Sequence, residues 1–165
     1  PITFRYRNKA FLVEVNSNIF VLMSDHNPII SILENLESNG VKFEYALDKI
    51  IKGVVKIMNS TEELKEELLG YDDIYQTYVT DADFNYWLEV SGGRLCYEKG
   101  VNPQALFTIA LTKDLIVKIL REEISGTEVF MKGKIKVEGS LSQGLRYIKL
   151  FRIFEKYLRK KNGSK

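Results

Sequence analysis

The chain has 165 residues, with 24 Lys and Arg against 22 Asp and Glu, and a net charge of +2 gives no electrostatic case for nucleic acid as a partner. Apolar residues at 45% and charged residues at 28% describe a soluble globular protein long enough to bury one core. One cysteine, Cys96, excludes an intramolecular disulfide and suits a reducing compartment, and one histidine, His26, leaves a zinc site dependent on several carboxylates.

Residues 2–23 read as extended chain. Ile2, Phe4 and Tyr6 alternate, Phe11, Val13 and Val15 follow Asn8 and Lys9, and the run 19–23 follows a polar turn at Asn16, Ser17 and Asn18. A small antiparallel meander is expected. Asn27 and Pro28 then start a first helix, with asparagine as cap and proline at the first helical position. Ile29, Ile32, Leu33 and Leu36 supply its apolar stripe, and Asn39 and Gly40 stop it.

A second helix carries Phe43, Leu47, Ile50, Ile51, Val54 and Met58 at helical spacing, weakened slightly by Gly53. Ser60, Thr61, Glu62 and Glu63 read as a capping box for a third, short helix that ends at Gly70. These helices are scaffolding.

From Tyr75 the texture changes to strands, expected over 77–80, 85–90 and 94–98. Ser91, Gly92 and Gly93 join the last two as a hairpin, because glycine supplies the positive φ that such turns require. Tyr86, Leu88 and Val90 share one face, and Asn85, Trp87 and Glu89 the other. After Asn102 and Pro103 a fourth strand, 106–112, turns Phe107, Ile109 and Leu111 together. Thr112, Lys113 and Asp114 cap a helix with Leu115, Ile116, Ile119 and Leu120.

The apolar tract Val129, Phe130, Met131 turns at Lys132 and Gly133. Residues 134–138 then alternate, placing Ile135 and Val137 on one face. Gly139 ends that strand, Ser140 is the cap of a long last helix, and Gly133 and Gly139 stand where the chain must turn sharply. In the helix, Tyr147, Leu150, Phe151, Phe154 and Leu158 form an apolar arc. Arg146, Lys149, Arg152, Lys156 and Arg159 are expected on the opposite side.

Motifs for catalysis are lacking. The chain has no glycine-rich phosphate loop ahead of a helix and no Gly-x-Ser-x-Gly elbow. His26, beside a helix cap, is expected at the surface; Cys96, in a strand beside Tyr97, is expected to be buried and unreactive. Asp72, Asp73, Asp81 and Asp83 read as solvated acids around a strand start and turn, without the spacing of a calcium loop. The expectation is no enzyme, no cofactor and no metal.

The run Phe130, Met131, Gly133, Lys134, Ile135, Lys136, Val137, Gly139 followed by a helix resembles the C-terminal signature of the sterol carrier protein-2 family. The resemblance extends back to about Leu47, through the strand from Tyr86 to Val90, the Gly92 and Gly93 hairpin and the helix beginning near Asp114. It implies an α/β (α+β) fold: a sheet of about five mostly antiparallel strands, covered by helices that enclose a lipid tunnel. Residues 1–40 have no counterpart in that pattern. The expected organisation is therefore one domain, 1–165, in which an N-terminal meander and helix extend a sterol-carrier-like core, 41–165.

The leading functional reading is a lipid carrier that holds a fatty acid, fatty acyl thioester or sterol-like lipid in that tunnel. Its expected walls are Phe107, Ile109 and Leu111 of the fourth strand, Leu115, Ile119 and Leu120 of the next helix, and Phe130, Met131, Leu145, Ile148, Phe151 and Phe154. The basic stripe Arg146, Lys149, Arg152, Lys156 and Arg159 reads either as a solvated face or as a contact for an anionic membrane surface or an acyl carrier's phosphates; its aromatic residues point elsewhere, against stacking on bases. The alternative is a non-catalytic interaction module that uses residues 1–40. No run of about 20 apolar residues spans a bilayer, no secretory leader is read at the start, and the last residues are not the Ser-Lys-Leu peroxisomal address, so the expected location is the cytoplasm.

Overall fold

The computed structural model describes residues 2–6, 9–14, 19–20, 38–40, 42–120, 123–124 and 126–161, with side chains over 38–40, 42–118, 123–124, 128–129, 131–154 and 156–157. Of the expected first helix only the end is described, with Ser38 helical and Gly40 at φ 79° at the expected stop; the rest of it, His26, Val15 and residues 21–23 lie outside the described residues.

The meander is present as a three-stranded antiparallel sheet, β1 (Ile2–Tyr6), β2 (Lys9–Glu14) and β3 (Ile19–Phe20). Ile2 pairs with Val13, and Val13 with Phe20. This sheet is separate from the main one.

Helix α1 (Phe43–Ser60) buries Phe43, Ala46, Leu47, Ile50 and Met58, the stripe its periodicity implies. Helix α2 is Glu62–Leu68. The capping box expected ahead of it does not form: Thr61 makes no side-chain cap bond. Its hydroxyl donates instead to the Ile57 carbonyl at 2.7 Å, as does that of Ser60 at 3.2 Å. Both hydroxyls close the end of α1, so neither caps α2.

The main sheet has the order β6-β5-β4-β7-β8. Strands β4 (Asp72–Val79), β5 (Phe84–Ser91) and β6 (Arg94–Lys99) form an antiparallel meander. Strand β7 (Phe107–Leu111) joins β4 in parallel, and β8 (Lys136–Glu138) joins β7 antiparallel. Gly92 and Gly93, at φ 59° and 76°, make the two-residue turn of the β5–β6 hairpin. Strand β4 starts earlier than expected, because Asp72 and Asp73 pair with Ser91 and Val90 at the sheet end.

Registration decides the two faces. Tyr75, Thr77 and Val79 align with Leu88, Tyr86 and Phe84 and with Phe107, Ile109 and Leu111. This face is covered by α1, α2 and the last helix, α5 (Leu141–Lys161), in one apolar core. The opposite face carries half-buried Ile74, Tyr78, Trp87 and Glu89. Cys96 lies there too and is exposed, a correction to its expected burial. As an edge strand, β6 turns alternate side chains to water.

Gln76 is the exception on the open face, fully buried at 1% exposure. The chain from β6 to β7 crosses beneath the sheet there. The Gln76 amide donates to the carbonyls of Tyr86 and Gly100, each at 3.0 Å, and accepts from the Asn102 amide at 2.8 Å. A buried amide with its donors and acceptor satisfied fixes this crossover.

Helices α3 (Lys113–Leu120) and α4 (Gly126–Met131) lie between β7 and β8 in sequence. Thr112 caps α3 by accepting from the Leu115 amide at 3.3 Å, and Asp81 accepts from the Lys113 amide at 2.8 Å. Asp81 therefore anchors a helix start. The tract before Lys132 is helical. It ends in a Schellman turn, with Gly133 at φ 66° and the Lys134 amide donating to the Val129 carbonyl at 3.1 Å. Ser140 and Gln143 make the capping box of α5, each side chain accepting from the other's backbone amide, at 3.1 and 3.2 Å.

Candidate functional site

The apolar interior falls into two clusters. The larger joins α1, α2, β4, β5, β6, β7 and α5; the smaller centres on Leu111, Val129 and Ile135. Half-buried Ile109, Ile116 and Val137 pack against both. They form an apolar seam between β7 and β8 and helix α3. This seam is the candidate site. Incompletely buried aliphatic side chains beneath covering helices can accept further apolar surface.

Beside the seam stands a polar group that sequence reading did not single out. Thr77 and Tyr147 share a hydroxyl hydrogen bond of 2.8 Å, and both residues are buried. The buried Tyr86 hydroxyl adjoins both. Burial raises the hydroxyls of Tyr86 and Tyr147 above the ordinary tyrosine value, so they remain neutral donors. The Tyr147 ring lies 4.7 Å from that of Tyr75 and 6.1 Å from that of Phe107, with Phe151 edge-on at 5.3 Å. A tyrosine in a buried helical arc needs a hydroxyl partner, and that is the signal that could have found this group.

The expected wall residues separate. Phe107, Leu111 and Phe154 are buried, and Ile109, Leu115 and Ile148 are half-buried. Ile119, Leu120 and Phe130 have helical backbone, but their side chains lie outside the described residues. Met131, Leu145 and Phe151 are 67%, 43% and 39% exposed, so the expected far wall is not a continuous buried surface. Leu145 lies four, seven and eleven residues before Lys149, Arg152 and Lys156. Those spacings put it on their face of α5, not on the inner one.

Arg146 leaves the basic stripe. Its guanidinium is 2.8 Å from Asp73 Oδ2, donates to the Gly70 carbonyl at 2.9 Å and stacks 4.6 Å over Tyr71. Asp73 is accordingly no solvated turn acid: its side chain is 12% exposed and also accepts from the Tyr75 hydroxyl at 2.7 Å. Lys149, Arg152 and Lys156 are exposed, and Arg159 has no described side chain.

A second polar anchor ties α1 to β6. Asp48, 3% exposed, accepts from the Tyr97 hydroxyl at 2.7 Å and pairs with Lys52 at 3.1 Å and Lys99 at 3.8 Å. Burial alone would raise its carboxyl; the Tyr97 bond and the two lysines outweigh that and hold it below the ordinary range. Asn59 bonds the Leu95 backbone at both its amide and its carbonyl, at 2.8 and 2.7 Å, which closes part of the free edge of β6. No group of carboxylates, histidines and cysteines that could hold a metal occurs among the described residues.

Residues 54–152 match the model of the SCP-2 sterol transfer family. No curated protein matches the chain. The apo form of Sterol Carrier Protein 2 from Yarrowia lipolytica is similar at 15% identity and a TM-score of 0.53, over 67% of this chain and 90% of that one. A conserved hypothetical protein from Thermus thermophilus is similar at 13% identity and a TM-score of 0.51, over 65% and 82%. A stereoselective inverting sec-alkylsulfatase from Pseudomonas sp. gives 19% identity and a TM-score of 0.53 over 63% of this chain, but the chain spans only 16% of that enzyme. These structural likenesses are to the fold, a five-stranded mixed sheet with helices. Among the described residues, no helix is long and apolar enough to cross a membrane.

Proposed function

The chain belongs to the SCP-2 sterol transfer family, and from that premise we propose that it is a non-catalytic carrier for an apolar lipid. The ligand is a fatty acid, a fatty acyl thioester or a sterol-like lipid. It lies in a tunnel between the helix-covered face of the sheet and helices α3, α4 and α5. The observation that carries this reading is the seam of Ile109, Ile116 and Val137, where two apolar clusters meet without full burial. Phe107, Leu111, Leu115, Ile148 and Phe154 flank it, and Ile119, Leu120 and Phe130 complete the proposed wall.

The driving force is water exclusion, about 25 cal/mol per Å² of apolar surface buried. Exchange takes place at an anionic membrane surface, with Lys149, Arg152 and Lys156 as the attracting charges. The proposed location is the cytoplasm.

The test is a titration of delipidated protein with a fluorescent fatty acid, followed by displacement with acyl thioesters and sterols. Saturable binding with a Kd of about 1 μM or below is expected. Absence of saturable binding across chain lengths removes the carrier reading. A second reading, an interaction module built on residues 1–40, is favoured by the separate β1–β2–β3 sheet. Native mass measurement of freshly purified protein distinguishes the two, because a carrier retains lipid and a collapsed core does not.

A further inference from the structure

The outward side of α5 combines two features that its inner side lacks. Leu141 and Leu145 are 45% and 43% exposed on its first two turns. Along the same face follow Lys149, Arg152 and Lys156, all exposed. Among the described residues none of these three cations has an ion-pair partner, whereas Lys52, Lys65 and Lys118 each meet a carboxylate on their own helix. Helix α5 offers little to pair with. Its sequence holds seven basic residues and one acid, Glu155.

We propose that this face of α5 is a docking surface for an anionic lipid bilayer, with Leu141 and Leu145 inserted below the headgroups and Lys149, Arg152 and Lys156 lying among the lipid phosphates. The proposal deepens the carrier reading and rests on it for its purpose, though not for its test. Exposed leucines favour an apolar depth, and a row of exposed cations favours an anionic layer; a bilayer surface supplies both within one helix diameter. The aliphatic stems of the lysines and arginine lie along the same boundary and let their charges rise to the headgroups. A nucleic acid would satisfy the cations alone, because leucines offer no stacking surface to bases.

The docking also fixes an orientation. The inner side of the same helix carries Tyr147, Leu150 and Phe154 into the main core. A bilayer against the outer side therefore lies one helix away from the interior proposed to hold the ligand.

The experiment uses ligand-free full-length protein and sedimentation with vesicles of phosphatidylcholine, with and without phosphatidylserine. The parent is expected to bind the phosphatidylserine vesicles, with an affinity that falls as salt rises. The double variant Leu141→Ser, Leu145→Ser should lower that partitioning about tenfold, since two buried leucines carry much of the apolar term. The triple variant Lys149→Gln, Arg152→Gln, Lys156→Gln should flatten the salt dependence. Neither set should alter the melting temperature much, because all five side chains are exposed.

Fatty-acid binding in solution, measured separately, should be kept in both. Its loss in the parent would remove the carrier reading and leave the vesicle result standing. Vesicle binding by the leucine variant equal to that of the parent overturns the proposal, as does failure of the parent to bind phosphatidylserine vesicles. A parent that self-associates, with a leucine variant that is monomeric and still binds vesicles, would make this face an interface between copies and also overturn it.

Discussion

Arg146 in the second turn of α5 meets Asp73 near the start of β4, with Nη2 2.8 Å and Nε 2.9 Å from the same carboxylate oxygen. Two residues 73 positions apart thus pin the last helix to the sheet. The Tyr71 hydroxyl adds a bond of 3.0 Å to the Arg146 carbonyl. The pair is partly exposed, so solvent screening limits its worth to about 1 kcal/mol. A double-mutant cycle with Asp73→Asn and Arg146→Gln, read by urea unfolding, should give a coupling energy near that value. A coupling of zero would mean that Tyr71 and the apolar arc hold α5 alone.

The Asp48 carboxyl predicts acid sensitivity. It is held below its ordinary value of 3.8, so the folded state binds its proton less readily than the unfolded chain. Its contribution is complete above pH 3.8 and is lost as the pH falls through the lower folded value. Asp48→Asn should lower stability at neutral pH and reduce the slope of stability against pH in that acid range. An unchanged acid slope in the variant would show that other carboxylates govern it.

Gly139 and Gly133 both have positive φ, at 121° and 66°, but their surroundings differ. A Cβ at Gly139 would stand 2.8 Å from the Leu106 carbonyl oxygen and 2.9 Å from the Phe107 ring, whereas at Gly133 it would meet nothing within 4 Å. Gly133→Ala should cost about 1 kcal/mol from conformation alone. Gly139→Ala should cost about 3 kcal/mol, because backbone must move as well. Thermal melts that rank the two variants equally would contradict the crowding at Gly139.

Gln76 predicts a difference between near-isosteric replacements. Its amide nitrogen faces the carbonyl oxygens of Thr77, Tyr86 and Gly100. Gln76→Glu would set a buried carboxylate against those oxygens and should cost about 3 kcal/mol or more at neutral pH. Gln76→Met keeps the volume and should cost less, although it leaves the Asn102 amide without its acceptor. Equal denaturation midpoints for the two variants would exclude the clamp.

Much of this protein was fixed locally and could be read from the chain. The Tyr86, Leu88, Val90 alternation, the glycine pair of the β5–β6 turn, the Ser140 cap and the arc of Tyr147, Leu150 and Phe154 each depend on neighbours within one element. Periodicity and backbone chemistry therefore determine them. The signature from Phe130 to Gly139 carried the family as well. What the chain could not reveal is which residues meet across elements. Asp73 reads as a turn acid until α5 brings Arg146 onto it, Cys96 reads as buried until β6 proves to be an edge, and Gln76 carries no signal until the crossover runs beneath it. Leu145 is expected on the inner wall, yet its spacing of four and seven residues from Lys149 and Arg152 already sets it on their face, and its 43% exposure shows that side turned to water. Helical spacing fixes positions relative to one another around an axis; only packing against a second surface decides which side is inside.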